Sequence, residues 1–590
     1  MIKEEQEKFN FVSNRPFFNY LVTNQKQSIN MNQVLNDGAC TSSNFYLSDL
    51  VLQHFLARET SVVGLSYMHD KLIELGKAAA TIMNPLSLMA DQEGPKLVKR
   101  NFYGEDIPKI LFHPAYQELK KIAVQSEMFR VKWEPELRQR FQEERHTLGF
   151  SSGFLYAMSE CGLFCPLCMT DGVARLIDRY CTEEDKERLL PHIATDAVEE
   201  LYTGAMFLTE KAGGSDVGAN LVTATPIGDG YYHLNGEKWF CSNADAELIF
   251  ALARTNPDIK GTKGLSIFLI EKQKPDGSDN DLGYIRLKDK LGVRSMASAE
   301  CLLNNTVGKL VGEEGQGFKI MTDMINLSRL YNSIAALSAM RRAQIEAYQF
   351  LKFRTTFGSN ALNHPLIRTK FTEIAALYHA NFYLTWRTVK ALDAADNGDE
   401  KEKELLRFLT PMVKKSTAET GVYSIRESME LMGGMGYIED GVLPKTMRDA
   451  MVLPIWEGAG NIMVLDMLRA LYKSKGFEIL AQEIETQLPS FTPQHQSILQ
   501  QQLYKIKELL TAFQKEDQEV VQASAKPIFE QLTLIYQITL LAVYKDETSE
   551  TWIVPSIDYL VQRLAGNSLN LVQPLDKKVV ESMLAWELYN

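Results

Sequence analysis

A single carboxylate stands among apolar residues in the stretch LPIWEGAGNIMVLD, residues 453–466. This carboxylate, Glu457, is followed by no other charged residue before Asp466. Apolar neighbours such as Ile455 and Trp456 would raise the pKa of its side chain toward the working pH, where it could serve as a general base. The alternative is a glutamate at the start of a helix, which the helix dipole stabilises by less than about 1 kcal/mol. The stretch alone leaves both interpretations open.

Two further motifs could bind a ligand with a planar ring. In FLTEKAGGSDVGAN, residues 207–220, two adjacent glycines would let the backbone approach a ligand, and Thr209 and Ser215 would place hydroxyl groups beside it. In EKWFCSN, residues 237–243, Phe240 and Ser242 face the same side of a predicted strand and could supply a stacking wall and a hydrogen bond. Taken alone, a polar loop and a core strand are the preferred interpretations.

Three of the seven cysteines cluster in CGLFCPLC, as Cys161, Cys165 and Cys168. A Cys-x-x-Cys pair can bind zinc or exchange thiols, but a structural zinc site needs four ligands, and no second pair follows at a suitable spacing. We therefore interpret the cluster as small buried side chains in a helix broken at Pro166. We predict reduced thiols and no metal site.

The elements that must position these residues change character twice along the chain. Apolar residues recur at helical spacing up to about residue 205, strand-like alternation follows to about 310, and long amphipathic helices return from Gly317. Within the β segment we predict a Gly-Asp-Gly turn at 228–230 and an Asn-Gly turn at 235–236. The segment from about 478 is rich in glutamine and contains LPSFTPQHQ as a predicted linker.

This order predicts an α+β multidomain protein. Its predicted parts are an N-terminal helical domain at 1–204, a central β domain at 205–312, a C-terminal helical bundle with Glu457 at 313–477, and an additional helical domain at 478–590. A chain of 590 residues exceeds the size at which one core usually stops growing, so several domains are expected.

Composition and charge narrow the classes of function. The 63 Lys and Arg residues against 75 Asp and Glu residues give a net charge of -12, which repels a phosphate backbone unless basic residues cluster locally. The charged N-terminus lacks the apolar core of a signal peptide, and no stretch approaches the roughly 18 apolar residues of a membrane span. We therefore predict a soluble, cytoplasmic protein without a membrane partner.

Seven segments, in order, resemble the acyl-CoA dehydrogenase family, and specifically its AidB-like branch. They are TEKAGGSD, KWFCSN, KDKLGVRSMAS, GEEGQGFK, FRTTFG, ELMGGMGY and IWEGAGN. The resemblance covers most of the chain, from about residue 112 to 471, and chance agreement of all seven segments is negligible. The form IWEGAGNIM and the long C-terminal extension favour the AidB-like branch over the short-chain and medium-chain enzymes.

The resemblance implies that Glu457 is the catalytic base of an FAD-dependent acyl-CoA dehydrogenase. In this family the base removes the proton α to the thioester carbonyl of an acyl-CoA, and a hydride leaves the β carbon for N5 of FAD, giving a 2-enoyl-CoA. The backbone N–H of the base and a flavin ribityl hydroxyl polarise the carbonyl. The resemblance further implies fatty acid metabolism, a homotetramer, and an electron-transfer flavoprotein or another electron acceptor as partner.

The contacts to the flavin ring carry over residue by residue. Leu208, Thr209 and Ser215 match the loop over the isoalloxazine edge. Phe240 and Ser242 match the ring wall and the N5 hydrogen-bond position, where family members usually have Trp and Thr.

The contacts to the rest of FAD imply an oligomer. Arg354 and Phe357 in FRTTFG match residues that reach the pyrophosphate and adenosine half from a neighbouring subunit, and an arginine suits this role because its fork pairs with phosphate. Gly433 and Gly434 match glycines that let the backbone approach the same dinucleotide.

The residues around the base complete the set that the resemblance implies. Trp456 and Gly458 flank the base and are assigned to the flavin site. Asn461 replaces a hydroxyl or amide residue of typical dehydrogenases and faces FAD in the AidB-like branch. Arg329, in INLSRLYN, matches an arginine near the catalytic carboxylate and is assigned to the substrate site, and a surface helix arginine is the alternative.

Two other functions remain open. Some AidB-like proteins are linked to alkylation damage and bind DNA, but residues 471–590 carry ten basic and fifteen acidic side chains, which argues against DNA contact there. A basic patch assembled by folding is the way in which DNA binding could still arise. The second function is sequestration of an acyl-CoA with little turnover, which needs neither a base nor an N5 contact.

Overall fold

The computed structural model describes residues 42–566 and 573–587. The part before the β domain is mainly helical. Its helices are α1 Phe45–Ser48, α2 Leu50–Glu59, α3 Val62–Thr81, α4 Met83–Gln92, α5 Pro114–Gln125, α6 Arg130–Trp133, α7 Pro135–Arg140, α8 Arg145–Ala157, α9 Phe164–Tyr180 and α10 Glu183–Ile193.

One hairpin interrupts this helical part, so the prediction of a wholly helical first third is wrong there. Strands β1 Lys96–Arg100 and β2 Asp106–Leu111 pair antiparallel, with Lys96 opposite Leu111. The side chain of Asn101 closes the turn by accepting hydrogen bonds from the backbone N–H groups of Tyr103 and Glu105. Because both strands are short and largely exposed, they carry too little alternation to stand out among helical patterns.

The β domain is a sheet that closes on itself. Its strands are β3 Gly204–Phe207, β4 Thr223–Gly228, β5 Tyr231–Ser242, β6 Leu248–Arg254, β7 Leu265–Glu271, β8 Leu282–Leu287 and β9 Ser298–Val311. Strands β4, β5, β9, β7 and β6 pair in a ring, β3 lies beside β6, and β8 lies beside β9. The ring encloses a separate apolar core.

The two turns predicted in this domain have different outcomes. The Gly-Asp-Gly turn is confirmed, because Gly228, Asp229 and Gly230 all have positive φ between β4 and β5. The Asn-Gly turn is wrong. Asn235 and Gly236 lie inside the twelve-residue strand β5, and the nearby bulge is on β9, where Asn305 is skipped in the pairing. Gly236 has a φ of 137° and lies close to Val222, so the glycine serves the strand and not a turn.

Long helices form the part after the β domain. They are α11 Gly317–Phe353, α12 Pro365–Asp396, α13 Glu400–Met432, α14 Val442–Ala450 and α15 Gly460–Lys473, with a small hairpin of β10 Thr355–Thr356 and β11 Ser359–Asn360 after α11. α11 packs against α13 and also against α8 and α9 of the first part, so one core joins the two helical parts. Trp456, next to Glu457, packs against Val293 and Met296 of the β segment, so the Glu457 turn lies where these helices meet the β domain.

The C-terminal extension packs onto the bundle. Its helices are α16 Gly476–Gln487, α17 Pro493–Ala512, α18 Gln518–Val543, α19 Glu550–Leu564 and α20 Lys577–Leu584. α18, α19 and α20 contact α12, and the buried residues of the extension join the main core. The predicted linker is short, because helix α17 already begins within it at Pro493. In the described part of the chain, no helix is long and apolar enough to cross a membrane.

Candidate active site

Glu457 lies in a tight turn between α14 and α15, not in the first turn of a helix. Its φ is 55° and that of Gly458 is 100°, so two successive residues adopt left-handed backbone conformations. The φ of Gly458 lies where side chains are rarely tolerated, which favours glycine at this position. A non-glycine residue with positive φ persists only where its surroundings hold it, and such residues concentrate at functional sites.

Two cations hold this turn through its backbone. Nε of Arg329 donates to the carbonyl oxygen of Glu457 at 3.1 Å, and Nζ of Lys414 donates to the carbonyl oxygen of Gly458 at 2.6 Å. Arg329 is itself fixed by Asp466, whose carboxylate lies 2.7 Å from its Nη1. The structure thus places Arg329 in the core against the turn, not on a helix surface.

The carboxyl group of Glu457 has an acid–base character unlike that of a surface glutamate. Burial raises its pKa to about 7, and the positive charges of Arg329 and Lys414 oppose that rise. Burial raises the pKa of the Cys165 thiol to about 12, and the nearby negative charge of Glu457 adds to this rise. A carboxyl group with a pKa near 7 can accept a proton at neutral pH and release it again.

Apolar side chains from three elements line the surroundings of the base. Cys165, Val293 and Met296 form a small buried cluster that also contacts Trp456. The indole Nε1 of Trp456 donates to Oδ1 of Asn332 on α11, which fixes the residue next to the base.

The cysteine cluster lies within this apolar wall. Helix α9 begins at Phe164, so Pro166 stands in its first turn, where its missing N–H costs no helical hydrogen bond. The prediction of a helix broken at Pro166 is therefore wrong: α9 runs unbroken from Phe164 to Tyr180, and Cys161 lies before it. No group of three or more His, Cys, Asp or Glu side chains suited to a metal ion occurs among the described residues, and Cys40 lies outside them.

The glycine-rich segment is a loop tied down by a buried ion pair. Nζ of Lys238 on β5 lies 2.7 Å from Oε1 of Glu210, and Glu210 also accepts hydrogen bonds from the backbone N–H groups of Leu221 and Val222. Both charged residues are almost fully buried. Neither Glu210 nor Lys238 was identified from the sequence. Simple alternation along β5 would place Lys238 and Cys241 on opposite faces, and a bulge between them brings both to the buried side.

The predicted ring contacts border this loop. Leu208 accepts a hydrogen bond from Nδ2 of Asn220 through its carbonyl oxygen, and the carbonyl oxygen of Thr209 accepts one from the N–H of Trp239. The side chain of Thr209 packs against Gly214, where an added Cβ would lie only 2.8 Å from Oγ1 of Thr209. The glycine therefore leaves room for the threonine side chain. Leu208 and Thr209 are half-buried, whereas Ser215 is exposed.

Phe240 and Ser242 lie on the outer side of β5. The register with β9 shifts between Lys238 and Cys241, which places Phe240, 57% exposed, and half-buried Ser242 on either side of buried Cys241. Oγ of Ser242 lies 3.1 Å from Oγ of Ser298.

A hydrogen-bonded chain runs from this pair toward the base. Nζ of Lys290 donates to Oγ of Ser298 at 3.2 Å and to the carbonyl oxygen of Met296 at 2.7 Å. Met296 belongs to the cluster that contacts Trp456. The structure therefore brings the strand motif and the Glu457 turn together.

Arg354 and Phe357 lie far from the base within the same chain. Arg354 follows α11 and is separated from Arg329 by 25 residues, or about 37 Å of helix. Phe357, at the tip of the small hairpin, is 98% exposed. Around Gly433 and Gly434, after α13, an added Cβ would meet no atom within 4 Å. Asn461, the second residue of α15, is also exposed.

Comparison with known proteins places this fold and site in a family. Three family models match successive parts of the chain: the adaptive response protein AidB N-terminal domain at 32–199, the acyl-CoA dehydrogenase middle domain at 205–306, and the acyl-CoA dehydrogenase C-terminal domain at 315–472. The chain belongs to the acyl-CoA dehydrogenase family. Within that family it is AidB-like, as its N-terminal part shows.

Individual relatives agree with this assignment. The putative acyl-CoA dehydrogenase AidB of Escherichia coli is 32% identical over 451 residues, which cover 75% of this chain and 80% of that protein. Acyl-CoA dehydrogenase family member 11 of Caenorhabditis elegans is 30% identical over 444 residues, covering 73% and 71%. The crystal structure of Caenorhabditis elegans ACDH-11 in complex with C11-CoA matches with a TM-score of 0.83 at 25% identity, over 94% of this chain and 95% of that one.

Proposed function

We propose that this protein is an FAD-dependent acyl-CoA dehydrogenase that converts a saturated acyl-CoA into a 2-enoyl-CoA. The observation that carries the proposal is Glu457, a carboxyl group with a pKa of about 7 in a strained turn that two buried cations hold. The worm relative whose structure contains C11-CoA supports an acyl-CoA as the substrate class. The Glu457→Gln exchange, described below, tests the proposal.

The described residues fit a flavin dinucleotide. The hydroxyl groups of Thr209 and Ser242 and the exposed ring of Phe240 offer hydrogen bonds and a stacking surface at one place. The open space at Gly433 and Gly434 would admit the close approach of a ligand to the backbone. FAD bound in this way would supply the acceptor for the two electrons of the β-hydride.

The chain's own groups account for proton removal. The carboxylate of Glu457 accepts the α proton, and its turn keeps it in place for that step. The backbone N–H of Glu457 makes no hydrogen bond to any described residue, so it is free to donate to the thioester carbonyl as negative charge develops. Cys165, Met296 and Trp456 form an apolar wall beside the turn that carries the carboxyl group.

The separation of Arg354 and Phe357 from Glu457 supports an oligomer. Arg354 and Phe357 are exposed at the surface and cannot reach the Glu457 region of their own chain. Several apolar side chains near these residues and near Gly433 and Gly434 in the sequence are also exposed: Phe353, Leu366, Met435, Tyr437 and Ile438. We infer a homotetramer in which these residues meet the FAD of a neighbouring copy, with an electron-transfer flavoprotein or another acceptor removing the electrons.

Arg354→Ala is expected to weaken FAD binding on the order of 10- to 100-fold, because a charge-assisted hydrogen bond contributes about 1.5–3 kcal/mol. The measurement is the dissociation constant of FAD for reconstituted apoprotein, with the oligomeric state determined alongside. Lys352→Ala removes an exposed cation two residues away and serves as the control that keeps FAD. Equal FAD affinity in both variants would remove Arg354 from the cofactor site.

Ser242→Ala is expected to keep the fold and FAD but to slow flavin reduction by roughly 2- to 10-fold, the effect of one lost hydrogen bond. The reason is that a hydrogen bond at N5 stabilises the reduced ring more than the oxidised one. Ser298→Ala is the matched control, since it removes the Ser242 partner and leaves the Ser242 hydroxyl. An unchanged reduction rate in Ser242→Ala with bound acyl-CoA would show that Ser242 is only a strand residue.

A further inference from the structure

Lys414 differs from the other buried lysines of the described chain. Four of them lie 2.6–2.7 Å from a carboxylate oxygen, in the pairs Lys132–Asp171, Lys238–Glu210, Lys415–Glu419 and Lys445–Asp449. Lys414 is 1% exposed, and within residues 42–566 and 573–587 no carboxylate lies within 4 Å of its ammonium group. A buried cation without such a partner is costly, and costly charges are concentrated at functional sites.

The hydrogen bond of Lys414 goes instead to the turn of the base. Its Nζ donates to the carbonyl oxygen of Gly458 at 2.6 Å, one residue beyond Glu457. Glu457 and Gly458 both have positive φ, so this hydrogen bond holds the peptide group that follows the strained turn carrying the carboxyl group. Arg329, from α11, holds the carbonyl of Glu457, so the two helices α11 and α13 grip adjacent peptide groups.

The charges around Lys414 and Glu457 are coupled. Burial lowers the pKa of Lys414 to about 8, and the positive charge of Arg329 also lowers this pKa. The negative charges of Glu457 and Glu419 oppose the decrease. On the Glu457 side, Arg329 and Lys414 are the two cations that favour the carboxylate. The thiols of Cys165 and Cys168, from α9, face the same carboxyl group, and burial raises the pKa of both, so they stay neutral.

We propose that Lys414 is the positioning residue of Glu457: its hydrogen bond holds the turn that presents the carboxyl group, and its buried positive charge favours the carboxylate form of that group. The identity of that proton, the one α to a thioester, rests on the proposed function. The positioning of Glu457 by Lys414 does not rest on the proposed function, because it concerns only groups of this chain. The role of Lys414 has two separable parts: its hydrogen bond to the turn and its positive charge.

The test titrates Glu457 directly in the full-length, flavin-loaded protein without acyl-CoA. Difference infrared spectra against Glu457→Gln isolate the carboxyl signal of this residue as the pH is varied. Lys414→Met is expected to raise the titration midpoint by roughly one pH unit, because removal of a nearby opposite charge disfavours the carboxylate. Lys414→Arg keeps the charge and is expected to titrate like the wild type. Lys415→Met, a buried lysine one position along α13 with its own carboxylate partners, is the control expected to leave the midpoint unchanged.

A second readout is the pH profile of flavin reduction by a saturated acyl-CoA. In Lys414→Met the acid limb is expected to move to higher pH, so that the loss of rate is larger at pH 6 than at pH 9. If Lys414→Met does not fold, Lys414→Gln serves in its place. An unchanged midpoint together with a rate loss that is equal at every pH would overturn the proposal and leave Lys414 a merely structural residue. Failure of the wild type to reduce its flavin would instead count against the proposed function, while the infrared titration still decides the role of Lys414.

Discussion

Glu457→Gln is expected to bind FAD and acyl-CoA as the wild type does and to reduce its flavin ~10² to 10⁴ times more slowly, the usual contribution of a positioned general base. Glutamine preserves the size of the side chain and can still accept a hydrogen bond, but it cannot take a proton at neutral pH. The backbone contacts of Arg329 and Lys414 to the turn do not involve the side chain, so the turn should persist.

The measurement is anaerobic stopped-flow absorbance of the flavin after mixing with acyl-CoA. Glu419→Gln is the matched control, because Glu419 is another carboxylate near the turn. Its Oε1 packs against Gly460, where an added Cβ would lie only 2.8 Å away. Equal rates in Glu457→Gln and the wild type would show that another carboxylate is the base. A rate loss confined to Glu419→Gln would point to that residue.

Lys238→Met is expected to loosen the glycine-rich loop at 207–220. Removing one partner of a buried ion pair typically costs about 3–5 kcal/mol, because the other charge stays buried and uncompensated. Here the remaining charge is Glu210, which also accepts the backbone N–H groups of Leu221 and Val222. Amide hydrogen exchange of those two residues should therefore accelerate on the order of 10²- to 10³-fold, and FAD should bind more weakly.

The control for this change is a surface lysine in the same loop. Lys211 pairs with Glu237, but the two side chains are 61% and 37% exposed, and such pairs contribute about 0–1 kcal/mol. Lys211→Met should therefore leave the exchange rates within roughly a factor of five. The double exchange Lys238→Met with Glu210→Gln should recover part of the protection, since no unpaired charge then remains. Unaltered exchange in Lys238→Met would mean that the ion pair does not hold the loop.

The sequence predicted what depends on periodicity and on contiguous motifs. The order of helices, β domain and helices followed from spacing, and the long helices α11 and α12 lie where the amphipathic pattern indicated. The hairpin of β1 and β2 was missed because its strands are short. Asn235–Gly236 misled because a pair typical of turns can also lie inside a long strand.

The parts of the site that depend on long-range contacts could not be read from the sequence. Lys414 and Lys415 are neighbours in α13, and only the packing of that helix shows that one meets the Glu457 turn and the other meets Glu419. Glu210 and Lys238 stand 28 positions apart and meet through the fold of the barrel. The specific assignments of Arg354, Phe357, Gly433 and Gly434 to a neighbouring subunit's FAD remain predictions.

The proposed activity is oxidation of an acyl-CoA at the flavin of this protein. It is tested by anaerobic mixing of the flavin-loaded wild-type protein with saturated acyl-CoA thioesters of increasing chain length, followed by the absorbance of the oxidised flavin. We expect bleaching by at least one thioester, faster as the pH rises through about 7, because Glu457, whose pKa is about 7, then becomes a carboxylate. Binding of the thioesters without bleaching at any chain length would rule out this activity and would favour sequestration of acyl-CoA.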